Sequence, residues 1–200
     1  MVCVCLSSKL SGTYDSACLA AAAHPGRVFV VDSLNATVGE RVVAERALSL
    51  RDEGLSAAAI AERLEVERGE VCLVAVLDTL EFLKKGGRIS AATAIAGGLL
   101  SIKPVIGVVD GEVAMLGKAR GSKQGNNLLR QKIAESGGVD FSRPIWLGYT
   151  GLDDALLRKY VADSRELFDT AVAEPPTTHV GSVIGTHVGP GAIAVAFFHA

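Results

Sequence analysis

Apolar residues recur along this chain in two rhythms. Short continuous runs, such as Met1–Leu6, Val71–Leu77 and Ala192–Phe198, alternate with stretches where apolar residues return every three or four positions. The first pattern reads as strands covered on both faces, the second as amphipathic helices. The opening part therefore predicts a strand over Met1–Leu6, a helix over Thr13–Ala23 ended by His24-Pro25-Gly26, and a strand over Arg27–Val31. A polar turn, Asp32–Thr37, leads to a helix over Val38–Glu53 that stops at Gly54. Ser56 caps a further helix to about Arg68, and Val71–Leu77 follows as a strand. Alternation of strand and helix favours a parallel sheet here.

The pattern changes after Asp78. A short helix over Thr79–Lys85 ends at Gly86-Gly87, and Ser90 can cap another through Ala96. Ile102–Val109 and Glu112–Ala119 flank Asp110-Gly111, a strong hairpin signal. Helices over Arg120–Ser136 and Leu152–Phe168 enclose a strand at Pro144–Tyr149. Ala171–Ala173 is a further short strand, and Ala192–Phe198 closes the chain after a Gly-rich loop that holds His187. The fold class is α/β, with two lobes of residues 1–100 and 101–200 that meet near Leu99–Ile102. The first lobe is mainly a parallel sheet flanked by helices, and the second is mixed α+β.

Composition sharpens this picture. Hydrophobic residues make up 49% but aromatics only 5%, so the core is built from Ala, Val, Leu and Ile. The formal net charge is −2, which leaves no electrostatic footprint for nucleic acid. Cys3 and Cys5 share one strand face, but no second pair with metal-ligand spacing follows, so Cys3, Cys5, Cys18 and Cys72 read as reduced thiols. No basic segment followed by a long apolar core opens the chain, and its apolar stretches are too short to span a bilayer. A cytoplasmic protein is expected.

Candidate chemistry begins at once. Ser7-Ser8-Lys9-Leu10-Ser11-Gly12-Thr13-Tyr14 is a hydroxyl-rich loop feeding a helix. Free N–H groups at a helix start favour a carboxylate or phosphate. Ser11 as a helix N-cap, worth about 1 kcal/mol, is an equal reading of the same residues. A domain rarely begins with its binding loop, so residues before Met1 are expected. His187 lies among Gly185, Gly189 and Gly191, which let backbone approach a ligand. His24, His179 and His199 have no such setting. Arg88, in Lys84-Lys85-Gly86-Gly87-Arg88, either complements a helix end or points at an anion. Lys118-Ala119-Arg120-Gly121-Ser122-Lys123 is either a solvated face or a docking surface. No nucleotide-binding glycine motif and no nucleophile elbow is present.

In chain order, the hydroxyl-rich loop, Asp32-Ser33-Leu34, Asp78-Thr79-Leu80-Glu81-Phe82-Leu83-Lys84-Lys85-Gly86-Gly87-Arg88-Ile89-Ser90, Leu100-Ser101-Ile102-Lys103-Pro104, Lys118-Ala119-Arg120-Gly121 and His187-Val188-Gly189-Pro190-Gly191 resemble the DegV family of bacterial lipid-binding proteins. The resemblance implies the two-lobed EDD fold and one long-chain fatty acid, such as palmitate, stearate or oleate, in a buried tunnel. It implies no catalytic residue, no metal and no other cofactor. The implied headgroup ligands are Ser11, Gly12 and His187, with Arg88 supporting them. Arg120, with Lys118 beside it, is implied to work with a separate fatty acid kinase subunit of the dihydroxyacetone-kinase-like type, which makes the acyl phosphate. No transmembrane segment is expected, and the reading leaves room for transient contact with a membrane surface. The family carries a further N-terminal segment with its own strands and a second hydroxyl loop. A sheet without that segment should show an open edge and exposed apolar surface. Two rival readings are a serine-dependent acyl hydrolase or transferase in which His187 activates Ser11 or Ser7, and a non-catalytic regulatory lipid-binding protein.

Overall fold

A computed structural model describes residues 1–89, 101–168 and 174–200. The helix expected from Ser90 to Ala96 and the strand expected at Ala171–Ala173 lie outside the described residues. Strands β1 (Val2–Cys5) and β2 (Phe29–Asp32) form a two-stranded parallel sheet. Helix α1 (Thr13–Ala21) joins them; α2 (Val38–Asp52) and α3 (Ala57–Glu67) follow. Next come β3 (Val71–Val76) and the short α4 (Glu81–Lys85). The hairpin β4 (Ile102–Val109) and β5 (Glu112–Arg120) runs into α5 (Gly121–Glu135). Then come β6 (Ile145–Tyr149), α6 (Ala155–Asp163), β7 (Thr177–His179), α7 (Ser182–Val188) and β8 (Ile193–Phe198).

The larger sheet has six strands in the order β5-β4-β3-β8-β6-β7. Only its β6–β7 pair is parallel. The α/β class stands, and the first sheet is parallel as expected. The expectation that Val71–Leu77 extends that sheet is corrected: β3 lies between β4 and β8 and runs antiparallel to both. A continuous apolar run reports two covered faces and carries no information on strand direction. The helix expected over Leu152–Phe168 is shorter, α6 plus a 3-10 turn at Arg165–Leu167, and β7 adds an edge strand that the sequence pattern missed. Asp110 and Gly111 both adopt positive φ, 49° and 82°, as a tight two-residue hairpin turn requires.

Successive residues of each strand face opposite layers. On one side Val74, Val76, Val105, Ile145, Leu147, Ile193, Val195 and Phe197 pack with Leu129 and Ile133 of α5 and Leu157 and Tyr160 of α6. On the other, Leu73, Ala75, Ile106, Ala194 and Ala196 meet Val38, Val42 and Val43 of α2. Helix α2 touches β1 as well as β3, β6 and β8, and so joins the two sheets. Among the described residues β1 pairs only with β2. Beside it lies an apolar groove of about 500 Å³. Met1 and Leu48 in that groove are 70% and 49% exposed. Among the described residues the small sheet thus has an unpaired edge beside exposed apolar side chains. All four cysteines are free thiols. Burial, with Cys3 beside it, pushes the Cys5 thiol up to about 12, so it is inert at neutral pH.

One buried charge network fastens α2 to α3. Glu67, 5% exposed, accepts from Arg46 Nε at 2.7 Å and from Arg63 Nε at 2.5 Å. Burial alone would raise the Glu67 carboxyl; the hydrogen bonds from Arg46 and Arg63 outweigh it and hold the group below the ordinary glutamate value. A folded pKa below the unfolded one gives stability that is present above the unfolded pKa, near 4.5, and is lost as pH falls through the folded value. Denaturant melts at falling pH should show this loss below the usual glutamate range. Glu67→Gln should flatten that part of the profile, and an unaltered profile in the variant would remove Glu67 from the acid response.

Candidate functional site

The hydroxyls of the opening loop divide into two groups. Ser7 is fully buried. Its Oγ donates to Gly111 O at 2.7 Å and accepts from Lys9 N at 3.2 Å. Its backbone N–H donates to Asn35 O at 2.7 Å. Ser8 N donates to both Asp32 carboxylate oxygens at 3.3 Å. Ser7 and Ser8 thus hold the loop against the β4–β5 turn and the Asp32–Thr37 turn. Ser11 and Thr13 instead line a cavity. Their hydroxyls lie 2.9 Å apart, and Ser11 Oγ accepts from Thr13 N at 3.3 Å. The N-cap of α1 is Gly12, so of the two readings of Ser11 the helix cap is not the one found. Gly12 does not line the cavity; it has φ −72°, and a Cβ there would meet nothing within 4 Å.

That cavity, of about 200 Å³, lies between the six-stranded sheet, the opening loop and α7. Its floor is a row of small residues. Ala75 of β3, Ala194 of β8 and Gly148 of β6 stand side by side across three neighbouring strands. In β8 and the residue before it, Ala192, Ala194 and Ala196 alternate with Ile193, Val195 and Phe197. The small residues face this layer and the large ones face α5 and α6. The remaining lining is largely Leu, Ile and Val. Its polar members are Ser11, Thr13, Thr37, Arg88, Thr150 and His187. No carboxylate lines it among the described residues.

His187 is not in a loop, as its glycines suggested. Gly181 to Gly189 closes two turns of helix, and His187 sits in the last turn of α7. Its imidazole rests on Gly86, where an added Cβ would come within 2.1 Å of Nδ1. Reciprocally, the Phe82 ring rests on Gly189, whose added Cβ would lie 2.4 Å from it. Glycines on α4's end and α7's end thus each receive a ring from the other element. His187 Nδ1 is buried against Gly86 and has no hydrogen-bond partner among the described residues. Thr150 Oγ1 donates to Gly189 O at 2.6 Å and accepts from Ala192 N at 2.9 Å, which fixes the turn that follows α7.

Arg88 reaches back to the opening loop. Nε donates to Leu10 O at 3.2 Å, and Nη1 donates to Gly86 O at 2.6 Å. The structure therefore brings Ser11, Arg88 and His187 to one cavity and leaves Gly12 outside its lining. Thr37, Thr150, Gly86 and the small-residue row are members that sequence reasoning missed. The alternation of alanine with larger residues in β8 was the available signal. Thr37 carries a backbone strain, φ 52° and ψ −123°, at a residue whose branched side chain disfavours it. Arg120 and Lys118 are exposed on β5, outside the lining. The hydrolase reading finds no support among the described residues: Ser11 Oγ bonds Thr13 rather than His187, and no carboxylate of theirs lines the cavity to orient the imidazole. Among the described residues no cluster of side chains could hold a metal ion, and no helix is long and apolar enough to cross a membrane.

Fold and site define an α/β protein with one small and one six-stranded sheet, and an apolar cavity collared by hydroxyls, a guanidinium and an imidazole. The model of a family described as "Uncharacterised protein, DegV family" matches residues 1–200, and the chain belongs to the DegV family. A DegV domain-containing protein of Deinococcus radiodurans is 35% identical over 195 residues, which are 96% of this chain and 67% of that protein. A DegV family protein from Thermus thermophilus, reported for its fatty acid binding, superposes with a TM-score of 0.84 at 34% identity, over 98% of this chain and 70% of that one. The Streptococcus pneumoniae Fatty Acid Kinase (Fak) B3 protein, loaded with linoleic acid, has the same fold, with a TM-score of 0.85 at 24% identity over 100% of this chain and 71% of that one.

Proposed function

We propose that this chain holds one long-chain fatty acid, with the acyl tail over the Ala75–Ala194–Gly148 row and the carboxylate at Ser11, Thr13, Arg88 and His187. The observation that carries this reading is a cavity of apolar walls whose polar members, among the described residues, are all donors or neutral groups, with Arg88 as its charged member. Fatty acid binding by the Thermus thermophilus relative supports it. Each buried methylene contributes about 0.8 kcal/mol, whereas a hydrogen bond to a charged group contributes about 1.5–3 kcal/mol. The tail therefore sets affinity, and the collar sets which end faces out. Gly12 contributes through its place at the start of α1 rather than through contact.

The same proposal extends to a partner. The chain presents the carboxylate to a separate fatty acid kinase subunit, of the dihydroxyacetone-kinase-like type, for acyl phosphate formation. Arg120 and Lys118 are its docking residues, being exposed and without ion pairs among the described residues. A cytoplasmic place suits this role. The test joins native mass spectrometry to a kinase-coupled assay. Ser11→Ala and His187→Ala should retain acyl chain but lower phosphorylation by about 10–100-fold, the scale of one lost charge-assisted contact. Arg120→Ala should retain acyl chain and lose kinase response. If the purified chain emerges without lipid and ignores added palmitate or oleate, the reading fails.

A further inference from the structure

The opposite face of the six-stranded sheet carries a second cavity, of about 450 Å³. It lies between α5 and α6, where β3 ends and β8 begins, with Val76 and Ile193 in its lining. It has only Leu77 in common with the acyl cavity. Its character is different. Four cations line it, Lys103, Lys123, Arg130 and Lys159, against two carboxylates, Asp78 and Asp163. Lys103 pairs with Asp78, and Lys159 Nζ lies 3.0 Å from Asp163 Oδ2. Arg130 Nη1 holds Glu166 at 2.6 Å, and its Nη2 donates to Asn127 Oδ1 at 3.0 Å. Lys123 makes no ion pair among the described residues. Ser122 and the Asn126 and Asn127 amides, on the first half of α5, add neutral donors.

A second, independent observation points to an occupant. Ser164, 1% exposed, lines this cavity, and its Oγ has no hydrogen-bond partner. Tyr160 Oη, fully buried and one helical turn earlier, is its neighbour and can donate to it, which leaves the Ser164 hydroxyl proton for a ligand in the groove. A hydroxyl beside a guanidinium and an ammonium is a donor set for an oxyanion. Counting Glu166, which Arg130 holds, the groove has four cations against three carboxylates; its one net positive charge balances a phosphate monoanion, whose further oxygens can accept from Ser122, Asn126 and Asn127. We propose that this groove binds a phosphate group, as inorganic phosphate or as a small phosphomonoester, with Ser164 Oγ donating to it, Lys123 supplying the net charge, and Arg130 and Lys159 adding donors beside it. The site sits on the other face of the sheet from the acyl tail and does not rest on the fatty acid reading.

The test uses the intact chain and two probes, inorganic phosphate and glycerol 3-phosphate, titrated at constant ionic strength with amide NMR detection. Saturable shifts are expected at Ser122, Arg130 and Ser164. Ser164→Ala removes an orphaned hydroxyl and leaves the fold intact; it should weaken binding about tenfold. Lys159→Gln, a surface change, should do the same, and Arg51→Gln, a distant surface cation, should not. Binding of both probes points to a free phosphate site; binding of the phosphomonoester alone points to an organic phosphate, and either supports the proposal. No saturable shift by ~10 mM, or equal affinity in wild type, Ser164→Ala and Lys159→Gln, overturns it.

Discussion

Ala194→Phe is expected to abolish the proposed fatty acid binding while leaving the protein folded. Ala194 stands in the middle of the cavity floor, between Ala75 and Gly148 on the flanking strands. A phenylalanine ring, which buries roughly 150–250 Å² in a core, would project into a space of about 200 Å³. Excluding roughly six methylenes of tail forfeits about 5 kcal/mol, more than a thousandfold in affinity. Overpacking a filled core costs about 1–3 kcal/mol, but here the ring enters room that is already open. Solvent extraction of the purified variant, with native mass spectrometry beside a thermal melt, reads both consequences. Palmitate retained at the wild-type level in a folded Ala194→Phe protein would show that the tail does not lie over this row. Ala75→Leu on the neighbouring strand should give the same result in weaker form.

Phe197→Ala, three residues further along β8, should act in the opposite sense. Phe197 is fully buried on the other face of the strand, in the cluster with Leu129 and Ile133 of α5. Phe197 lines neither of the two cavities described above, so truncation opens a new one. Phe→Ala changes of this kind cost about 3–5 kcal/mol, against a total stability of about 5–15 kcal/mol for a domain. Urea unfolding should show a fall in midpoint with little change in slope. A loss below about 1 kcal/mol would contradict the packing of this face. The two variants read one strand from its two sides: a larger side chain at 194 acts on the ligand, and a smaller one at 197 acts on the fold.

Much of the local structure was legible from residue order. The hairpin around Asp110-Gly111 needs positive φ at both turn residues, and both have it. Ser56 caps α3 by accepting from Ala59 N at 3.3 Å, a local interaction that its neighbours specify. The site was legible in part. The opening hydroxyls, Arg88 and His187 could be singled out by residue type and glycine context. Their division into structural Ser7 and Ser8 and cavity-lining Ser11 and Thr13 could not, because it depends on the β4–β5 turn, which lies a hundred residues away. Gly86 and Gly189 read as chain breakers, but their role is to seat the rings of His187 and Phe82 from a distant segment.

Residue order by itself determined the α/β class, the hairpin, most helix limits and a core poor in aromatics, because backbone propensity, capping and side-chain periodicity act between neighbours. Only the tertiary structure decided that β3 runs antiparallel between β4 and β8. It also decided that three small residues on separate strands form one floor, and that Ser164 and Arg130 share a groove. Those outcomes depend on which strands and helices pack side by side, and that choice is made by burial summed over the whole chain rather than by any segment of it.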